Sequence, residues 1–148
     1  MSSTANSSRL SKITDHPRYL KIKFKGGQGN WRQLRISLDV GKLDPDYGTT
    51  IEASGNYHLE RNQIVESFVD KVLQFCFMLE RRKEGMVRAI EETKEEQRRY
   101  FKEHGYVTTE FIRRIEKYKE FIIRVDALYL CLMQVLEKDK PFLDMIRI

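Results

Sequence analysis

Two hydrophobic periods divide this chain. From Arg18 to Lys25 apolar and polar residues alternate, with Leu20, Ile22 and Phe24 on one side and Tyr19, Lys21, Lys23 and Lys25 on the other. That is the period of a half-buried strand. Gly26-Gly27-Gln28-Gly29-Asn30 then supplies residues that accept positive φ, as a hairpin turn requires. A second alternation follows, with Leu34, Ile36 and Leu38 inward and Trp31, Gln33 and Arg35 outward. Asp44-Pro45-Asp46-Tyr47-Gly48 reads as a turn, a short third strand is placed near Thr49 to Ala53, and Ser54-Gly55-Asn56 offers a break and a helix cap.

After Asn56 the period becomes helical. Val65, Val72, Leu79 and Met86 recur every seven residues, with Phe68, Phe75 and Ala89 between them. The pattern from Tyr57 to His104 predicts a helix of roughly 48 residues, about 70 Å long. Gly85 is a position at which it can break, since glycine costs a helix interior about 1 kcal/mol relative to alanine. Gly105 marks its end. Thr108 or Thr109 can cap a second helix running to about Glu137, with Phe111, Ile115, Tyr118, Ile122, Val125, Tyr129, Leu132 and Leu136 on one stripe. The few residues between the helices predict antiparallel packing, with Leu128 to Leu136 opposite roughly Phe77 to Gly85. The charged stretch Glu91 to Glu116 then forms the far end.

The expected fold is α+β, an N-terminal antiparallel β-hairpin with a third strand packed on a long antiparallel helical hairpin. Its segments are a polar, disordered tail over 1–16, the small sheet over 17–55, the helical hairpin over 56–137 and an apolar C-terminal tail over 138–148. Phe142, Leu143, Met145 and Ile146 in that tail either fold back onto the base of the hairpin or dock on a neighbour, which makes them the candidate partner-binding residues.

Composition narrows the class. With 148 residues, 41% hydrophobic and 33% charged, the chain can bury one core. Cys76 and Cys131 stand far apart, each inside an apolar run, which predicts no disulfide framework and a reducing, intracellular setting. Cytoplasm or nucleus is expected, while the Ser-rich start leaves an organelle open. No membrane span is expected, because the most apolar run, Phe121 to Leu136, is broken by Arg124 and Asp126.

Candidate chemistry is sparse. Gly27-Gln28-Gly29 lacks the preceding buried strand and following helix of a phosphate loop. Asp44 to Gly48 resembles the start of a calcium loop, but its glycine comes one position early and the terminal glutamate is missing. His16, His58 and His104 lie in three different elements without partners at metal spacing, and neither cysteine sits in a nucleophile's context. The expectation is a protein that is not an enzyme and holds no cofactor or metal. Mixed-sign runs such as Lys94-Glu95-Glu96-Gln97-Arg98-Arg99 read as solvated helix faces. Tyr100, Phe101, Tyr106 and Phe111 read as a plug at the hairpin tip, with a partner anchor as the alternative.

Charge singles out the N-terminal hairpin. The net charge is +5, yet eight bases (Arg9, Lys12, Arg18, Lys21, Lys23, Lys25, Arg32 and Arg35) face the single acid Asp15 between Arg9 and Arg35. Lysine and arginine neutralise phosphates and planar rings stack on bases. Tyr19, Lys21, Lys23, Lys25, Trp31 and Arg35 are therefore the candidate nucleic-acid-binding residues, on DNA or RNA. The competing readings are a lysine-guarded sheet edge and a surface for an acidic protein or anionic membrane. A basic strand-turn-strand leading into a helix over about residues 18–60 resembles the arm-type DNA-binding modules of tyrosine recombinases. The resemblance implies a binding mode alone, because the recombinase Arg, His-x-x-Arg and Tyr set is missing. The rival function is a structural subunit or adaptor that binds protein partners, or itself, through its helices and C-terminal tail.

Overall fold

A computed structural model of the chain describes residues 19–26 and 32–147. The first alternation forms strand β1, Leu20–Lys25, and the second forms β2, Gln33–Asp39. They pair antiparallel with Leu20 opposite Leu38, Ile22 opposite Ile36 and Phe24 opposite Leu34, so both apolar sets share one face. The polar tail, the turn residues 27–30 and Trp31 lie outside the described residues.

A 3-10 turn over Val40–Lys42 follows, capped by Asp39, whose Oδ1 accepts from the Gly41 amide at 3.0 Å. The turn at Asp44 closes on itself: its Oδ1 accepts from the Asp46 amide at 3.0 Å and its carbonyl from the Tyr47 amide at 3.0 Å. The third strand, β3, runs Thr50–Asn56 and pairs antiparallel with β2, giving the sheet order β1-β2-β3.

Strand β3 extends through the residues expected to break it. Ser54, Gly55 and Asn56 pair with Arg35, Leu34 and Gln33. The physical reason is at Gly55, where an added Cβ would run into the Glu60 carboxylate and lie 3.1 Å from Ile64 Cδ1. Glycine is needed there for close approach of the next helix, not for a turn. That helix, α1, spans Tyr57–His104. Asn56 caps it by accepting from the His58 and Leu59 amides at 3.0 and 3.1 Å, while the Glu60 carboxylate accepts from the Asn56 amide at 2.9 Å. The reciprocal arrangement satisfies three backbone donors at the junction of strand and helix.

Helix α1 passes through Gly85 without interruption over its 48 residues. It ends at Gly105, which takes φ +74° and donates its amide to the Phe101 carbonyl at 2.8 Å, a left-handed cap. Helix α2, Thr109–Lys138, and a short helix α3, Lys140–Ile146, complete the chain. The fold is thus α+β, a three-stranded antiparallel sheet followed by a long helical hairpin.

The chain divides into two compact units, Met1–Gln74 with Cys131–Ile148 and Phe75–Leu130. In the first, Leu34, Ile36, Leu38, Val40, Val65, Phe68, Val72 and Leu132 have no exposed surface. Phe142, Leu143 and Ile146 of α3 are also buried there, at 2, 4 and 2% exposure, and Met145 is half-buried. In the second unit the two helices are joined by Lys83 to Asp126 at 2.9 Å and Arg114 to Glu96 at 3.5 Å.

Candidate nucleic-acid interface

The alternation that buries Leu20, Leu34, Ile36 and Leu38 leaves the opposite sheet face to polar side chains. Cross-strand pairing sets Lys21 beside Ser37, Lys23 beside Arg35 and Lys25 beside Gln33, then Ser37 beside Glu52 and Arg35 beside Ser54. Lys21, Lys23 and Lys25 are exposed on the outer strand, two residues apart, which spaces their Cα atoms by about 6.7 Å. Tyr19 stands at the start of the same row and is exposed. No described side chain pairs with any of the three ammoniums.

Arg35 differs from the lysines. Its guanidinium donates to the Glu52 carboxylate from Nε at 3.1 Å and from Nη2. Both side chains are about half exposed, so the pair adds little to stability, but it occupies the fork that a phosphate would otherwise take. Glu52 is the residue that the sequence pattern did not bring to this face, since its position depends on the register of β3 against β2. The pair also divides the surface. On one side a groove of about 230 Å³ runs among Tyr19, Lys21, Lys23, Asp39 and Lys42; on the other a depression of about 340 Å³ lies among Lys23, Lys25, Gln33 and Ser54.

Of the six residues expected to bind nucleic acid, Tyr19, Lys21, Lys23 and Lys25 fall in one row, Arg35 sits beside that row bound to Glu52, and Trp31 lies outside the described residues. Lys42 joins the groove through the 3-10 turn. No family model, curated protein or solved structure matches the chain. The face itself is therefore the ground for a functional reading.

The two edges of the sheet are unlike. Lys71 of α1 donates from Nζ to the Glu52 carbonyl at 2.8 Å, which covers part of the outer edge of β3. At β1 the described residues provide only the lysine row. Among the described residues no three His, Cys, Asp or Glu side chains gather as a metal site, and no helix is long and apolar enough to cross a membrane. Of the C-terminal residues expected either to fold back or to meet a partner, Phe142, Leu143 and Ile146 are buried and Met145 is half-buried.

Proposed function

We propose that the outward face of the sheet binds the backbone of a nucleic acid, and that the chain is a non-enzymatic accessory protein. The observation that carries this reading is the row Lys21, Lys23 and Lys25, three exposed ammoniums without an ion-pair partner among the described residues, beside the exposed ring of Tyr19. Ammoniums spaced along a strand suit phosphates that follow one another along a polynucleotide, and the interaction is sequence-tolerant because it reads charge rather than base edges. Tyr19 adds a stacking surface at one end of the row. Arg35 acts less as a phosphate ligand than as a switchable neighbour, held by Glu52 until an anion competes for it.

The test is binding of short labelled oligonucleotides, single- and double-stranded, to the full chain. Lys21→Glu with Lys23→Glu abolishes binding, and wild-type affinity falls steeply with added salt. Absence of salt-sensitive binding to every form of DNA and RNA removes the reading.

A second reading, a structural subunit or adaptor, is favoured by apolar side chains left outside the helices. Leu73 and Phe77 lie one turn apart on α1 and are exposed, as are Ile123 and Leu130 on α2. This reading draws on the helices and not on the C-terminal segment, whose removal would open the core. A wild-type mass in solution that stays monomeric at all concentrations, with no partner retained, counts against it.

A further inference from the structure

The tip of the second unit separates the aromatic residues that the sequence places together. Tyr100 packs on Phe111 at 5.5 Å, on Tyr106 at 5.7 Å and on His104 at 4.2 Å between centroids. Phe111 is buried by this cluster. Phe101 belongs to a different surface. It is 55% exposed, as is Ile112 at 49%, and both line a trough of about 700 Å³ that opens to solvent and also takes in Val107 and Ile115. On α1 the trough-lining positions Lys94, Gln97, Arg98, Phe101 and Lys102 follow one helix face, and on α2 Ile112, Ile115, Glu116 and Lys119 do the same.

The charge of this trough is one-sided. Lys94, Arg98, Lys102 and Lys119 surround its apolar surface, with Glu116 as the lining acid. Arg98 is held by Glu95 at 3.1 Å, whereas Lys94, Lys102 and Lys119 have no ion-pair partner among the described residues. A mixed-sign helix surface would balance its charges by neighbouring pairs; this one leaves three ammoniums around exposed phenylalanine and isoleucine.

We infer that the trough is a docking site for an acidic amphipathic helix of a partner protein. From Lys94 to Lys102 the α1 wall is about 12 Å long at 1.5 Å per residue, which is room for two turns bearing apolar anchors at i, i+3 or i+4, and i+7. Carboxylates flanking those anchors meet Lys94 and Lys102 on one wall and Lys119 on the other. A compact small molecule fits less well, because an open trough cannot enclose most of its surface as ligand pockets do. A second copy of the chain is disfavoured by the repulsion of two basic rims. The site is independent of the sheet face and of whether that face binds nucleic acid.

The probe is a fluorescein-labelled helical peptide of about three turns, with leucine on one face and glutamate on both flanks. The controls are a scrambled peptide of the same composition and one with every glutamate replaced by lysine. Anisotropy with the full-length protein is expected to report saturable binding of the acidic amphipathic peptide alone. Phe101→Ala weakens it about tenfold, as loss of an interface anchor does, and Lys94→Glu with Lys102→Glu weakens it by more. Circular dichroism of both variants is expected to match wild type, because the altered side chains are exposed or half-exposed. Should Phe101→Ala disturb the fold, the lysine pair alone decides. No binding, equal binding of either control peptide, or binding that survives the charge reversal overturns the proposal. Sedimentation with anionic phospholipid vesicles that the same variants abolish, without peptide binding, overturns it in favour of a lipid surface.

Discussion

The two units bury their apolar side chains to different extents. In the sheet-bearing unit, Leu34, Ile36, Leu38, Val65, Phe68 and Val72 have no exposed surface, and α3 adds Phe142, Leu143 and Ile146 to the interior. In the unit made from the helical hairpin, Leu79 and Val125 are buried, while Phe77, Val87, Phe101, Ile112, Ile123 and Leu130 remain exposed. A two-helix hairpin can cover only the stripe where its helices meet, whereas a sheet covered by helices encloses a three-dimensional core. The first unit buries most of its large hydrophobic groups, with Leu59, Leu73 and Met133 left exposed. The second leaves a larger share of them exposed.

The largest effects should follow that division. Phe68→Ala or Phe142→Ala is expected to cost about 3–5 kcal/mol in urea unfolding, the range for emptying a buried aromatic site. Phe101→Ala should stay within about 0.5 kcal/mol, as exposed positions do. Equal losses at Phe142 and Phe101 would break the contrast.

Two glycines on and just beyond α1 give changes of opposite sign. At Gly105, with φ +74°, alanine must enter the left-handed region, at about 1–2 kcal/mol. At Gly85 an added Cβ meets nothing within 4 Å, so Gly85→Ala should stabilise by about 1 kcal/mol. Thermal melts of both variants check the signs. A loss at Gly85 would mean that the helix is bent there in solution.

The cysteines run against the comparison, with the buried Cys76 in the second unit and the half-buried Cys131 in the first. Burial, and then the nearby Glu80 carboxylate, push the Cys76 thiol above its ordinary value, while Cys131 is half-buried and free. Iodoacetamide should therefore modify Cys131 first and reach Cys76 only on unfolding. The pH effect has a definite sign. Above the ordinary thiol value the unfolded chain releases the Cys76 proton and the folded chain keeps it, so this group lowers stability as pH rises; below that value its contribution is constant. Cys76→Ala should reduce the alkaline slope of the unfolding free energy.

A small change in stability is also expected at the sheet face. Glu52→Gln removes a half-exposed ion pair and should cost under about 1 kcal/mol, yet it releases the Arg35 guanidinium. Oligonucleotide affinity is expected to rise in electrophoretic titrations.

Much of this architecture is legible in the sequence, because local period and tertiary packing agree. The alternation at Leu20, Ile22, Phe24, Leu34, Ile36 and Leu38 yields β1 and β2 on one face, and the seven-residue spacing at Val65, Val72 and Leu79 yields the core stripe of α1. What the sequence conceals depends on register. Glu52 reaches Arg35 only through the pairing of β3 with β2. Gly55, read as a break, is a strand residue chosen for the approach of Ile64. Tyr100 and Phe101 are neighbours in sequence but lie on different sides of the helix, about 100° apart, so one enters the plug and the other lines the trough. The lysine row was visible from the start; the neutralisation of its arginine was not.

The most direct test of the sheet-face account is the salt dependence of single-stranded oligonucleotide binding, measured for wild type and for Lys21→Gln, Lys23→Gln, Lys25→Gln combined. The account predicts that the slope of log K against log salt becomes shallower by about 2 in the triple variant, the loss of three phosphate contacts at about 0.7 each. An unchanged slope would contradict it.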